Sequence, residues 1–208
     1  MDFLTSDTHF NHEKIIEFCS HDIKTADEMN WAIVKIWNAT VSPTDRVFHF
    51  GDFAFKTGQK KEETRNLFHN LNGEKHLLIG NHDNIKQIGD FGWASIKKED
   101  FIVINGVKFR MAHFPYLRNM QEKDKKERPE CFTPDVINPE TNELYPLLHG
   151  HVHESYALKP YGLNVGWDIF HKPITDDRIF EIYQETNGFK ENVEKVNKIL
   201  YNTNRHKD

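Results

Sequence analysis

Three observations predict an α/β fold: short apolar runs that end on polar tips, amphipathic segments between them, and a hairpin in mid-chain. Thr25-Ala26-Asp27-Glu28 has the form of a capping box, and Met29, Ile33, Ile36 and Trp37 follow at helical spacing. A helix is therefore predicted over about 26–39. Asp45 to Phe50 is β-rich and apolar and runs into Gly51-Asp52, which reads as a buried strand entering a loop. Residues 59–71 have helical character, and His76-Leu77-Leu78-Ile79 is a second buried strand ending at Gly80-Asn81-His82-Asp83. This alternation sets functional groups at strand ends.

In the second half, Phe101–Ile104 and Val107–Met111 flank Asn105-Gly106, the pair preferred in a type I′ turn, and the hairpin stops at Ala112-His113. Further strands are expected at Leu144–Leu148, Leu163–Val165 and Arg178–Tyr183. Residues 117–143 are polar and punctuated by proline, with a mixed charge run from Gln121 to Arg128, and read as a long lid-like loop. Phe189, Val193, Val196 and Leu200 suit a C-terminal helix over about 188–201. The 208 residues are expected to form one domain, 1–208, without internal repeats.

Composition narrows the function. A net charge of −5 argues against general affinity for nucleic acid, yet leaves a nucleotide substrate open, because bound cations would supply positive charge locally. No apolar run approaches the roughly 18 residues of a membrane span, and the opening Met1–Ser6 does not read as a signal sequence. A cytoplasmic location without membrane contact is the expectation, and the oligomeric state is left open. Cys19 and Cys131 fall in no metal-binding spacing and read most simply as reduced, buried thiols.

The chemistry concentrates in five blocks: Asp7-x-His9, Gly51-Asp52, Gly80-Asn81-His82-Asp83, His113, and Gly150-His151-Val152-His153. Each follows an apolar run. Strand alternation would turn Asp7 and His9 to one face, and His151 and His153 toward one cavity. Glycine before Asp52, Asn81 and His151 permits sharp turning and close backbone approach. Carboxylate, imidazole and amide donors together suit manganese, iron or zinc better than calcium or magnesium. Any one of these residues alone has an ordinary reading as a turn or core residue, the default for His21, His69, His76, His171 and His206. His12 and His149 adjoin motif blocks, and His12 is a candidate for touching substrate or supporting a ligand.

In that order the blocks resemble the calcineurin-like metallophosphoesterase superfamily, whose pattern is D-x-H, GD, GNH-D/E, H and GH-x-H. Ser6-Asp7-Thr8-His9-Phe10-Asn11-His12, Phe50-Gly51-Asp52-Phe53 and Asn164-Val165-Gly166-Trp167-Asp168 look like its small bacterial and phage branch. The resemblance implies two packed mixed sheets flanked by helices, with the site where strand ends meet. It implies that Asp7, His9 and His153 hold one metal ion, that Asn81, His113 and His151 hold another, and that Asp52 bridges them. Manganese is the first choice of metal, with iron, zinc or nickel as alternatives. His82 would protonate the leaving group, and Asp83 is a candidate to orient it. The implied activity is phosphoester hydrolysis by a metal-activated water on a small phosphodiester or nucleotide. Protein phosphatases of the superfamily extend the second block to GDxxDRG; here Phe53-Ala54-Phe55-Lys56-Thr57 follows, which disfavours that role. A nuclease acting on nucleic-acid ends and a non-catalytic scaffold of the same fold are the alternatives.

Overall fold

The computed structural model describes residues 1–18, 23–55, 57–119 and 129–205. In chain order its strands are β1 (Asp2–Thr5), β2 (Arg46–His49), β3 (Glu74–Leu78), β4 (Ser95–Lys97), β5 (Glu99–Ile104), β6 (Val107–Ala112), β7 (Ile137–Asn138), β8 (Glu143–Leu144), β9 (Leu147–His149), β10 (Leu158–Lys159), β11 (Gly162–Asn164) and β12 (Ile174–Thr175). Ten of them form two five-stranded sheets, ordered β12-β1-β2-β3-β4 and β10-β11-β9-β6-β5, while β7 and β8 pair with each other. Both large sheets are mixed. β1, β2, β3 and β4 run parallel with antiparallel β12 on the edge. β6, β9 and β11 run parallel between antiparallel β5 and β10.

The α-helices are α1 (Glu13–Phe18), α2 (Ala26–Thr40), α3 (Lys61–Asn70), α4 (Ile85–Ile88), α5 (Trp167–Phe170), α6 (Asp176–Glu185) and α7 (Val193–Arg205). Alternation along β1 and β3 builds two apolar layers. Leu4 and Leu78 face the second sheet and pack with Ile104, Phe109, Met111, Leu148 and Leu163. Phe3 and Leu77 face outward and pack under α2 and α3 with Met29, Ile33, Trp37, Leu67 and Phe68. The architecture is thus a sandwich of two mixed sheets flanked by helices, held by burial on both faces of the first sheet.

Several elements match the sequence reading. Thr25 accepts the Glu28 N–H at 3.2 Å and the Glu28 carboxylate accepts the Thr25 N–H at 3.3 Å, closing the capping box of α2. Asn105 and Gly106 both have positive φ, 48° and 82°, as a type I′ hairpin requires.

Others differ. Arg178–Tyr183 is helical, inside α6, not a strand. Thr175 caps that helix by accepting the Arg178 N–H at 3.2 Å, Asp176 and Asp177 fill its first turn, and Ile179 and Ile182 are buried one turn apart. The strand lies just upstream, where Ile174 and Thr175 pair with Leu4 and Phe3. The expected strand Leu144–Leu148 breaks at Pro146, which has no N–H to donate to a ladder: β8 lies on one side of it and β9 on the other. The C-terminal helix starts at Val193 rather than 188, because Asn187, Gly188, Phe189 and Asn192 all take left-handed backbone, with φ between 47° and 78°. Phe189 nevertheless reaches the core between the sheets.

The charge run 121–128 lies outside the described residues. The described parts of 117–143 are tied to the body by a Tyr116–Thr133 bridge and by Arg110, which donates to Pro134 O and Thr133 Oγ1, and to each other by an Arg118–Asp135 ion pair at 2.7 Å. Cys131 is buried, and Cys19, His21 and His206 lie outside the described residues. Among the described residues no helix is long and apolar enough to cross a membrane.

Candidate metal centre

The parallel strands β1, β2, β3, β6 and β9 release the chain at their C-terminal ends into loops carrying Asp7, Asp52, Asn81 with His82, His113, and His151 with His153. Carboxyl ends of parallel strands are the usual place for a site in such sheets. The local cause differs from simple alternation. β1 stops at Thr5, and Asp7, His9, Asp52, His151 and His153 all have positive φ, from 43° to 71°. Such backbone costs roughly 1–3 kcal/mol per residue and persists only where surroundings fix it. Here the fixing bonds are backbone ones, with Asp7 N–H to Gly51 O, His9 N–H to Asp52 O and Phe10 N–H to Phe53 O, each 3.0 Å. Two glycines permit the close approach. A Cβ on Gly80 would strike the carboxylate and amide of Asp52, and one on Gly150 would strike the Ser6 hydroxyl and the Asp7 carboxylate.

The side chains converge in two groups that could hold metal ions: Asp7, His9 and His153, and Asp52, His113 and His151. Within each group the donor atoms lie within 4.8 Å of one another. Ligands at about 2.1 Å around one ion stand about 3–4 Å apart, so the spacing is that of a coordination shell. Asn81 joins the second group, its Oδ1 lying 3.0 Å from His113 Nε2. Asp52 Oδ2 faces both groups, 3.7 Å from His9 Nε2 and 3.5 Å from His113 Nε2.

Each carboxylate has one oxygen engaged by a backbone amide. Asp7 Oδ2 accepts the His151 N–H at 3.0 Å, and Asp52 Oδ1 accepts the His82 N–H at 2.8 Å. The other oxygen of each is left facing the cluster. Among the described residues, Asp7 Oδ1 and both ring nitrogens of His9 are buried without a hydrogen-bond partner. Orphaned polar atoms of this kind are rare in protein interiors and call for a ligand. Carboxylate, imidazole and amide donors so arranged fit a pair of divalent cations.

Two imidazoles are oriented from behind. His113 Nδ1 donates to Phe50 O at 2.6 Å, leaving the Nε2 lone pair toward Asn81 and Asp52. His153 Nδ1 donates to Asp168 Oδ2 at 2.6 Å, leaving its Nε2 for a ligand.

Without cations the cluster tends to neutrality. Burial, then the Asp52 charge, raises the Asp7 carboxyl to about 8. Burial also raises Asp52, opposed by the His82 N–H. Burial lowers His113 to about 3, and burial with the neighbouring His113 lowers His151 to about 3. His9 is depressed by burial and by four surrounding imidazoles. His153 is the exception: burial lowers it, but the Asp168 hydrogen bond and nearby carboxylates outweigh that and raise it to about 9. Positive ions in the centre would instead favour ionised carboxylates and neutral imidazoles.

The remaining candidates have distinct places. His82 stands at the open side of the centre, 41% exposed, its Nε2 4.0 Å from Asp52 Oδ2. Asp83 does not orient that ring. Its Oδ1 accepts the Phe53 N–H and its Oδ2 those of Asp52 and Gly80, at 2.8 to 3.0 Å, so it ties the second and third loops together. His12 is half-buried beside His9, with ring centroids 5.4 Å apart, and its Nδ1 accepts the Ile15 N–H at the start of α1. His149 is fully buried behind the centre, with Nδ1 donating to Gly150 O. His69 is exposed on α3, and His76 stacks on Phe48; both are ordinary fold positions.

Sequence reasoning missed three supports. Asp168 was visible only as part of the Asn164–Asp168 block. Asn164 holds the His153 loop by donating to His153 O and Tyr156 O. His49 is buried beneath the first loop, where the Thr8 hydroxyl donates to Phe53 O and so accepts from His49 Nε2.

No family model matches the chain. A curated protein of Methanocaldococcus jannaschii, described as uncharacterized protein MJ1445, is 38% identical over 113 residues. That match covers 54% of this chain and 58% of the relative, so it spans little more than half of the relative's length. A solved structure, the protein of unknown function AQ665 from Aquifex aeolicus, superposes with a TM-score of 0.64 at 25% identity, covering 88% of this chain and 98% of that one. This likeness supports the fold. An archaeal phosphodiesterase structure gives a TM-score of 0.40 at 19% identity over 79% of this chain and 81% of its own, too distant to carry an argument about function.

Proposed function

We propose that the chain is a dinuclear-metal phosphoester hydrolase acting on a small phosphodiester or nucleotide. The single observation that carries this reading is the position of Asp52 Oδ2 between the two donor groups, facing His9 on one side and His113 on the other. A carboxylate shared in this way would serve two cations at once, and paired cations supply the chemistry of phosphoryl transfer. On this reading Asp7, His9 and His153 hold one ion, Asn81, His113 and His151 hold the other, and Asp52 bridges. When bound, the ions supply activation of a water nucleophile and neutralisation of the phosphoryl oxygens.

The chain's own residues provide the rest. His82 is the exposed imidazole beside the bridging carboxylate, and it is placed to give a proton to a departing oxygen. Its backbone N–H fixes Asp52, so the proton donor and the bridge are set by one residue. Asp83 positions the two loops that carry them, and Asp168 holds His153 in register.

The test is hydrolysis of generic mono- and diesters by protein loaded with Mn²⁺, Zn²⁺, Fe²⁺ or Ni²⁺, beside His82→Ala. Turnover by the wild type, with a fall of about 10²–10⁴ and retained metal in the variant, is the expected result. A wild type inert on every ester and metal would end the proposal.

A further inference from the structure

The rim of the centre holds a phenylalanine that the fold does not use. Phe55 is half-buried and, among the described residues, belongs to none of the apolar clusters that pack the sheets and helices. Its neighbours are imidazoles: its ring centroid lies 4.2 Å from that of His12 and 5.6 Å from that of His82. His9 in turn lies 5.4 Å from His12 and 5.6 Å from His82, so four rings close a circuit at the open side of the centre. The backbone beneath is fixed. Phe55 N–H donates to Phe10 O at 2.8 Å, and Phe10 pairs with Ala54 as a parallel bridge. An apolar ring held on rigid backbone, outside the core and against the exposed histidine, is built to meet something that arrives from solvent.

Resting on the phosphoesterase reading, we propose that Phe55, with His12, forms the subsite for the leaving group, and that this subsite selects esters bearing a flat unsaturated ring close to the scissile oxygen. The reason is position. A leaving oxygen that takes its proton from His82 carries its substituent past that ring, and the next surface it meets is Phe55. Offset or edge-to-face ring contact stabilises an aromatic group there and gives little to a short alkyl group. Aryl groups and nucleobases share this chemistry. A second half-buried phenylalanine, Phe114, sits on the other side of the centre, 4.8 Å from His113 and 4.9 Å from His151. Both of those belong to the second donor group, away from His82, so Phe114 serves as the comparison.

The experiment measures calorimetric binding of benzylphosphonate and ethylphosphonate, in which a methylene replaces the ester oxygen, to metal-loaded wild type, Phe55→Leu, Phe55→Trp and Phe114→Leu. Leucine keeps apolar volume but removes the ring, and equal metal content with an unchanged melting temperature shows that each variant is folded. The expected result is that wild type prefers benzylphosphonate by ~2- to 10-fold, that Phe55→Leu abolishes the preference, and that Phe55→Trp and Phe114→Leu keep it. Equal binding of the two ligands by wild type, or a preference that survives Phe55→Leu, overturns the leaving-group subsite and leaves the hydrolase reading standing. Failure of wild type to bind either phosphonate also overturns the subsite, and the hydrolase reading is then decided by ester turnover alone.

Discussion

The two halves of the centre are built on different supports. In the group of Asp7, His9 and His153, the outermost imidazole is 35% exposed and is held by another side chain, Asp168. In the group of Asp52, His113 and His151, the His113 ring is 1% exposed and is held by the backbone carbonyl of Phe50. A ligand fixed by the main chain inherits the rigidity of the sheet. One fixed by a carboxylate can be loosened by a single substitution. The halves are also tied crosswise, because the amide that fixes Asp7 belongs to His151, whose ring serves the other group.

Asp52→Asn is expected to have the largest effect. It removes the charge that the two groups share and should cost both metals together, read as metal content after dialysis; loss of one ion alone would contradict bridging. Asp168→Asn comes next. An amide in place of that carboxylate should weaken the first group by about 10–100-fold in metal affinity and leave the second near its wild-type value. Equal weakening of both would mean that the crosswise tie dominates and that the supports do not act separately. Thr25→Ala supplies the smallest effect, as a control on fold alone. Loss of the α2 cap should cost about 1 kcal/mol in denaturant unfolding without changing metal stoichiometry.

Parts of this molecule could be read from local sequence because local chemistry decides them. The Thr25–Glu28 capping box and the Asn105-Gly106 turn are set by neighbours within four residues, and both form. Arg178–Tyr183 departs from the expected strand because Ile179, Phe180, Ile182 and Tyr183 suit a strand as well as a helix. The decision rests on the Thr175 cap and on the side of the sheet that those residues cover. Leu144–Leu148 divides for a simpler reason: Pro146, visible in the sequence, has no N–H to give to a ladder.

In the centre, the five blocks stood out in the sequence because chemistry restricts which side chains can serve as donors. Their partners did not stand out. Asp168 reaches His153 across 15 positions, and Phe55 approaches His82 across 27, with no spacing rule to join them.

The sequence by itself determined the donor types, the glycines that let loops approach, and the α/β alternation, since each depends on one residue or its near neighbours. Only the tertiary structure decided that Asp52 would face both groups, that Asp83 would serve the loops rather than His82, and that Phe55 would stand outside the core. Those outcomes depend on left-handed turns locked by hydrogen bonds between distant strand ends, and such bonds exist only once the sheet has assembled.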